Sequence, residues 1–346
     1  MPLTDRRVLI TGGTGSLGRA LTRRVLRGDV GRPSRLTIFS RDEAKQHAMR
    51  QEYLGSPAAA DDAVYRDSRE RLTFRIGDVR DARALTAATR DVDVVIHAAA
   101  LKQVPSCEYF PSEAINTNVF GAMNLVAALA QSRVETVIGI STDKACKPIN
   151  VMGMTKALQE RILIQSNLDL PTTRIMCVRY GNVIASRGSV VPLFADQIAR
   201  GGPVTVTVAE MTRFLLTLDQ AVDTVFAALR SGQPGETYIP RAPSARVVDL
   251  AAAMIDGRPI EIAFTGIRPG EKLHEIMVSE EEQFRTASRD GYYVIRPVLP
   301  ELRPLSDSPK SDLKDEYSSA DVTLDVAGLR DLLASSELDL ATAAIA

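Results

Sequence analysis

Hydrophobic positions along this chain fall into two alternating kinds of segment. Short β-branched runs at 7–11 (RVLIT), 35–40 (RLTIFS), 72–76 (LTFRI), 92–99 (VDVVIHAA), 135–141 (ETVIGIS) and 173–180 (TRIMCVRY) read as buried strands. Between them, 16–27, 42–53, 81–89, 112–132 and 152–167 have helical length and period. Such alternation implies right-handed βαβ units, so the expected fold class is α/β with a doubly wound parallel sheet over residues 1–180. The stretch 56–70, rich in Ala, Asp, Arg and Ser, reads as a surface insertion. After Tyr180 the alternation weakens and Gly and Pro become frequent. Helical pieces near 219–230 and 247–256 predict a smaller lobe over 181–300, with elements returning to the sheet, at the carboxyl edge where ligands bind in open α/β folds. The polar tail, 301–346, carries a last amphipathic piece near 325–335, suited to packing on the body or on another subunit.

Composition narrows the class of protein. Of 346 residues, 45% are hydrophobic and 25% charged, which excludes disordered, collagenous and disulfide-scaffold chains. Forty-two basic against 43 acidic residues leave a net charge of −1, so no nucleic-acid partner is expected. The three cysteines, Cys107, Cys146 and Cys177, lack disulfide or zinc spacing. His47, His97 and His274 form no metal-ligand pair, and His97, at the end of strand four, suits a structural hydrogen bond. With a charged N-terminus and no apolar run near 18 residues, a cytoplasmic protein without a membrane span is expected.

Directly after the first strand, Thr11-Gly12-Gly13-Thr14-Gly15-Ser16-Leu17-Gly18 forms a GxxGxxG turn that opens a helix. Glycines let the backbone approach a pyrophosphate, which then sits at the positive end of the helix. In a dinucleotide fold, an acid closing strand two binds the adenosine ribose diol of NAD. Here Ser40 and Arg41 stand in that place, with Lys45 one turn on, and a hydroxyl with a guanidinium suits a 2′-phosphate. NADP is therefore preferred over NAD, although Asp42 stands close by and has a second use as a helix cap. Asp78, after strand three, is placed either to accept from the adenine amino group or to cap the helix at 81.

Strand five ends in Ser141-Thr142-Asp143-Lys144, and Met152-Gly153-Met154-Thr155-Lys156 opens the next helix with Met152 and Lys156 one turn apart on one face. This resembles an extended short-chain dehydrogenase/reductase, whose pattern is Ser/Thr on strand five followed by Tyr-x-x-x-Lys. Met152 stands in the tyrosine's place, and a thioether has no proton to exchange. Either such a chain only binds nucleotide, or another group does the acid–base work. The chain is similar to the UDP-N-acetylglucosamine 4,6-dehydratase group, which keeps Asp-Lys here and often carries this methionine. The likeness runs through His97 to Glu108, Asn116-Thr117-Asn118-Val119, Arg179 to Val183, Ser186 to Val190, Met211 to Phe214 and Gly266 to Lys272. The runs Gln103 to Glu108 and Asp290 to Tyr293 look most like the capsule and O-antigen enzymes that also invert C5.

The resemblance implies oxidation of the sugar at C4, loss of water across C5 and C6, and return of the same hydride to C6. Asp143 would be the acid and Lys144 the base, Thr142 would hold the C4 hydroxyl, and Lys156 would bond the nicotinamide ribose. The group that deprotonates the C4 hydroxyl stays open between a water relay and Asp143. Cys107 is either a buried structural thiol or a loop group reaching the substrate. The cofactor set extends to Val79, to Ala98, Ala99 and Ala100 after strand four, and to Tyr180 and Asn182. For the substrate the resemblance points to Lys102, Asn182, Arg187, Ser189 and Val190, with Arg213, Arg268 and Glu271 toward the diphosphate and uridine. It also implies a homo-oligomer, dimer or hexamer. Competing readings are a C5-retaining dehydratase, a 5,6-dehydratase or 4-epimerase of a UDP-sugar, and a non-catalytic NADP-binding regulator.

Overall fold

A computed structural model describes residues 1–54, 71–184, 189–303 and 311–335. The expected insertion at 56–70 and the end of the tail lie outside the described residues. In chain order the strands are β1 (Arg7–Thr11), β2 (Arg35–Ser40), β3 (Leu72–Ile76), β4 (Val94–His97), β5 (Thr136–Ile140), β6 (Arg174–Val178), β7 (Asn182–Val183), β8 (Val204–Val206), β9 (Thr212–Leu216), β10 (Thr237–Pro240), β11 (Ser244–Arg246), β12 (Ile262–Phe264), β13 (Ile276–Val278), β14 (Thr286–Arg289), β15 (Tyr292–Ile295) and β16 (Tyr317–Ser318). The helices are α1 (Ser16–Arg27), α2 (Glu43–Leu54), α3 (Ala82–Thr89), α4 (Val104–Tyr109), α5 (Pro111–Ala114), α6 (Gly121–Leu129), α7 (Val151–Asp169), α8 (Val190–Ala199), α9 (Leu218–Ser231), α10 (Val247–Ile255), α11 (Glu280–Gln283) and α12 (Val326–Ser335).

The principal sheet runs β14-β15-β10-β6-β5-β4-β1-β2-β3, parallel from β3 to β10, with β15 and β14 antiparallel at one edge. It is doubly wound because alternate side chains of each strand face opposite layers. Val8 and Ile10 of β1 join Ile38, Ile96 and Ile138 on one face, packed on Leu21 and Val25 of α1 and Phe226 of α9. Leu9 joins Phe39, Val95 and Val137 on the other, against Leu85 of α3, Leu125 of α6 and Leu163 of α7. Strands from beyond residue 180, β10, β14 and β15, complete this sheet. The smaller lobe gathers the short sheets β11-β9-β7 and β12-β8 around Phe194, Leu215, Leu250 and Leu329, while β13-β16 packs Met277 and Val278 onto the core of the principal sheet.

The helix expected over 112–132 runs from Pro111 to Leu129 with a π-helical turn inside it. Pro111 starts a new short helix, and the residue before a proline is pushed out of the helical region, as Phe110 is at φ −128° and ψ 61°. A π-helical turn, Ile115–Phe120, then leads into α6. One buried ion network ties the lobe to the sheet. Arg179, at the end of β6, donates to Glu160 Oε2 of α7 at 2.7 Å and to Glu282 Oε2 of α11 at 2.7 Å. Both carboxylates and the guanidinium are buried, so the charge of Arg179 is what balances the two acids there.

Candidate active site

The sheet reverses its winding between β1 and β4, and the loops leaving those strands part there to open a cleft of about 820 Å³. Gly12 leaves β1 at φ +66°, and a Cβ on it would sit 2.7 Å from the amide nitrogen of Ala99 after β4. Only glycine fits both demands. Thr14, Gly15, Ser16, Leu17 and Gly18 line the cleft as the chain turns into α1. The cap position, Gly15, makes no side-chain hydrogen bond and the first turn carries no acid, so its amides are left for an anion. This cradle fits the pyrophosphate of a dinucleotide.

Ser40, Arg41, Lys45, Asp78 and Val79 line the far end of the same cleft. Asp42 caps α2 by accepting from the Lys45 amide at 2.9 Å, and its other oxygen lies 2.6 Å from Lys45 Nζ. Asp78 does not cap α3, since Asp81 accepts from the amides of Arg83 and Ala84. Asp78 instead receives Arg80, at 2.7 Å from the side chain and 3.0 Å from the amide. Burial pushes the Asp78 carboxyl up, but Arg80 outweighs it and holds it below its ordinary range.

Beyond the ends of β4 and β5, Ala98, Ala99, Ala100, Thr142, Lys144, Met152, Lys156, Tyr180 and Asn182 line the cleft. Strand β5 ends in a tight 3₁₀ turn, Asp143–Ala145, which points Thr142 and Lys144 into the cleft and buries Asp143 completely behind them. Thr142 Oγ1 donates to Asp143 Oδ1 at 3.0 Å. Lys144 Nζ donates to the same oxygen at 3.0 Å, to Asn182 Oδ1 at 3.3 Å, and lies 3.0 Å from Glu275 Oε1. Asp143 Oδ2 is buried without a hydrogen-bond partner among the described residues. Burial pushes the Asp143 carboxyl above its ordinary range, against the pull of Lys144 and with the like charge of Glu275 adding to it. Burial pulls the Lys144 ammonium down, but Asp143 and Glu275 outweigh it and hold it above the usual lysine value. The free amine expected from desolvation alone is therefore not the resting form of Lys144.

The remaining expected residues divide. Met152 is buried against Cys107 and Ala114 while touching the cleft, in the tyrosine's place and without a proton to give. Lys156 faces inward, donating to the Ile140 carbonyl at 2.5 Å and Gln159 Oε1 at 2.6 Å, and burial lowers it to about 8. Lys102, Ser189, Arg268 and Glu271 line the cleft, the last two from the loop before β13. Cys107 takes the structural one of its two expected places: it is fully buried within α4, with its thiol 3.9 Å from the Leu101 carbonyl. Two expectations are corrected. Val190 begins α8 and packs into the lobe core. Arg213 is buried and donates to the carbonyls of Thr212 and Leu273, with its Nε 3.8 Å from Glu275, so it serves the buried cluster and not a phosphate. Arg187 lies outside the described residues. His97 makes the structural bond expected of it, Nδ1 to Thr11 Oγ1 at 2.9 Å.

Sequence reasoning missed Glu275. It is 2% exposed, between His274 and β13, and no spacing relative to strand five marks it, because it arrives at Lys144 from the lobe. It also missed Thr117, whose hydroxyl is buried without a partner on the cleft wall. The π-helical turn that carries Thr117 has no signature in residue pattern.

The profile of a family described as polysaccharide biosynthesis protein matches residues 8–297. A protein named UDP-glucose 4-epimerase from Rickettsia akari (strain Hartford) is 45% identical over 296 residues, covering 84% of this chain and 83% of that protein. Among solved structures, Pen from Bacillus thuringiensis matches with a TM-score of 0.85 at 32% identity, over 97% of this chain and 98% of that one. DesIV, a dTDP-glucose 4,6-dehydratase from Streptomyces venezuelae solved with NAD bound, matches with a TM-score of 0.66 at 22% identity, over 77% of this chain and 86% of that one. The last likeness speaks to the fold alone.

Proposed function

Because the chain belongs to the polysaccharide biosynthesis protein family, within the extended short-chain dehydrogenase/reductases, we propose that it dehydrates UDP-N-acetylglucosamine to the 4-keto-6-deoxy sugar with inversion at C5, using NADP. At the coarser level it is a nicotinamide-dependent enzyme that modifies nucleotide sugars in polysaccharide biosynthesis, of the epimerase/dehydratase type. The observation that carries the finer reading is the Thr142–Asp143–Lys144 arrangement beside a methionine in the tyrosine's place.

Gly12 to Gly18 would hold the pyrophosphate, Ser40, Arg41 and Lys45 the 2′-phosphate, and Ala98 to Ala100 with Tyr180 the rest of the cofactor. The nicotinamide, when bound, takes up and gives back the hydride. Lys156, held toward the Ile140 carbonyl at rest, supplies positive charge at the buried end of the cleft. The lobe over 181–300 would supply the uridine diphosphate side, through Arg268 and Glu271.

Thr142 Oγ1 lies between the cleft and Asp143, so it is the path by which a sugar hydroxyl reaches the buried carboxylate. The C4 O–H bond breaks, Thr142 takes that proton, and its own passes to Asp143. The carboxyl so loaded returns the proton to the C6 hydroxyl, which leaves as water while the C5–C6 double bond forms. Lys144 takes the C5 proton, made acidic by the C4 ketone, and releases it to solvent, and a solvent proton is added to the opposite face of C5. Protonating Asp143 removes one of the two anions that keep Lys144 charged, so loading the acid also loosens the proton on the base. This chemistry needs no tyrosine.

The name carried by the Rickettsia relatives supports a second reading, 4-epimerisation of a UDP-sugar. An epimerase returns the hydride to C4 and has no leaving group for the Asp143 proton. Proton NMR of the enzyme with UDP-N-acetylglucosamine in D2O separates the two: a new C6 methyl signal with deuterium at C5 is expected, its couplings reporting inversion. A C4 epimer without a methyl signal rejects the dehydratase reading. Exposed apolar side chains at Tyr109, Phe110, Phe120, Met123, Met154 and Leu158 support a homo-oligomer. No helix among the described residues is long and apolar enough to cross a membrane.

A further inference from the structure

A lysine that acts as a base must first lose its ammonium proton, and in this site the acceptors are few. Lys144 Nζ has Asp143 Oδ1 and Asn182 Oδ1 as hydrogen-bond acceptors and Glu275 Oε1 at 3.0 Å. An amide oxygen cannot hold a proton at these pH values, and in the reading proposed above Asp143 is already loaded from the C4 hydroxyl when Lys144 must act. Glu275 is the ionisable acceptor left. Its backbone is held on both sides by one serine, because its amide donates to Ser319 Oγ at 2.9 Å and its carbonyl accepts from the Ser319 amide at 2.8 Å.

The surroundings of Glu275 fit a carboxylate that is ionised at rest. Arg213 of β9 approaches Oε1 at 3.8 Å, and Lys272 lies 4.0 Å from Oε2, donating its own proton to the Cys146 carbonyl. Three cations thus face Glu275, while Asp143 has Lys144. His274, the neighbouring titratable group, is turned away to Thr212 Oγ1. Burial raises the Glu275 carboxyl, but Lys144 and Arg213 outweigh it and hold it below its ordinary range. Oε2 has no hydrogen-bond partner among the described residues, so a proton has a place to rest on this side chain.

We infer that Glu275 is a positioning residue for Lys144 in the dehydration: it anchors the amine from the lobe and takes the ammonium proton so that Lys144 can remove the C5 hydrogen. The inference rests on the dehydratase reading. The steps balance. The Nζ–H bond breaks and an O–H bond forms on Glu275; Lys144, now neutral, takes the C5 proton and releases it to solvent as a solvent proton reaches the opposite face of C5; Glu275 then gives its proton back to Lys144. Asp143 ends ionised, having sent the C4 proton out with the C6 hydroxyl as water.

The test is Glu275→Gln in the full chain with UDP-N-acetylglucosamine in D2O, following C4 oxidation by the near-ultraviolet absorbance of reduced nicotinamide and C5 exchange by NMR. Oxidation is expected within about fivefold of wild type, with C5 exchange and methyl formation slowed at least about a hundredfold. Lys272→Met, which strips a cation from the far oxygen of Glu275 and makes it a better acceptor, is expected to exchange C5 at least as fast as wild type. Glu275→Gln with wild-type C5 exchange overturns the inference, as does a loss in Lys272→Met equal to that in Glu275→Gln. Loss of oxidation and exchange together in a Glu275→Gln variant that melts normally and binds NADP also overturns it. A wild-type enzyme that yields a C4 epimer and no methyl rejects the dehydratase reading and this inference with it. Methyl formation by wild type with unimpaired exchange in the variant rejects the inference alone.

Discussion

Gly153 lies against the backbone carbonyl of Lys144 so closely that a Cβ on it would sit 2.2 Å from that oxygen. The first turn of α7, capped by Asn150 Oδ1 accepting from the Gly153 amide at 2.7 Å, is thereby seated on the 3₁₀ turn that carries Asp143 and Lys144. Gly153→Ala must push the two apart. Overpacking of this kind costs about 1–3 kcal/mol, and the variant is expected to melt at lower temperature and to lose turnover more than cofactor affinity. Thermal unfolding and cofactor titration measure the two effects.

Asp143→Asn keeps the shape of the buried side chain and removes its ability to carry a proton. Turnover is expected to fall by about 10²–10⁴-fold with cofactor affinity unchanged. Thr142→Val, which cuts the path from the cleft to Asp143 Oδ1, is expected to slow C4 oxidation itself. Single-turnover absorbance of the reduced nicotinamide reports that step, and wild-type oxidation in Thr142→Val would remove the relay.

Gly12→Ala places a methyl group 2.7 Å from the Ala99 amide nitrogen at a φ of +66°. Because the strain falls where β1 and β4 part, cofactor affinity is expected to drop at least about tenfold, read by fluorescence titration. Arg41→Ala is expected to weaken NADP by about fivefold or more while leaving NAD nearly unaffected; equal losses for both would remove Arg41 from the 2′-phosphate site.

The Glu160–Arg179–Glu282 network sets an acid limit on stability. Burial raises Glu282, but Arg179 outweighs it and lowers the carboxyl to about 2 from an ordinary 4.5. A depressed carboxyl adds stability that is complete above its unfolded value and lost as pH falls through its folded one. This contribution is therefore present above about 4.5 and disappears toward about 2. Arg179→Met strands two buried carboxylates, and a loss of about 3–5 kcal/mol is expected, with acid unfolding at higher pH; denaturant melts across pH check both.

The chain's own pattern determined the parts of this protein governed by neighbours in sequence. Strands β1, β2 and β3 fall where the β-branched runs stand, because a strand buried on both faces needs a continuous apolar run. The glycine loop, Arg41, Thr142, Asp143, Lys144 and Met152 were legible for the same reason: each sits at a strand end or a helix start whose position the pattern fixes. The π-helical turn at Ile115–Phe120 was not legible, because its residues keep the helical period on either side of it. What only the tertiary structure decided is which charges meet. Glu275 and Arg213 come to Lys144 from a lobe 131 and 69 residues away along the chain, and Arg213, Val190 and Cys107 turn from the cleft into packed interiors. Coulomb energy depends on distance through space, so the charge on Lys144 rests in part on Glu275, a carboxylate that no local motif contains.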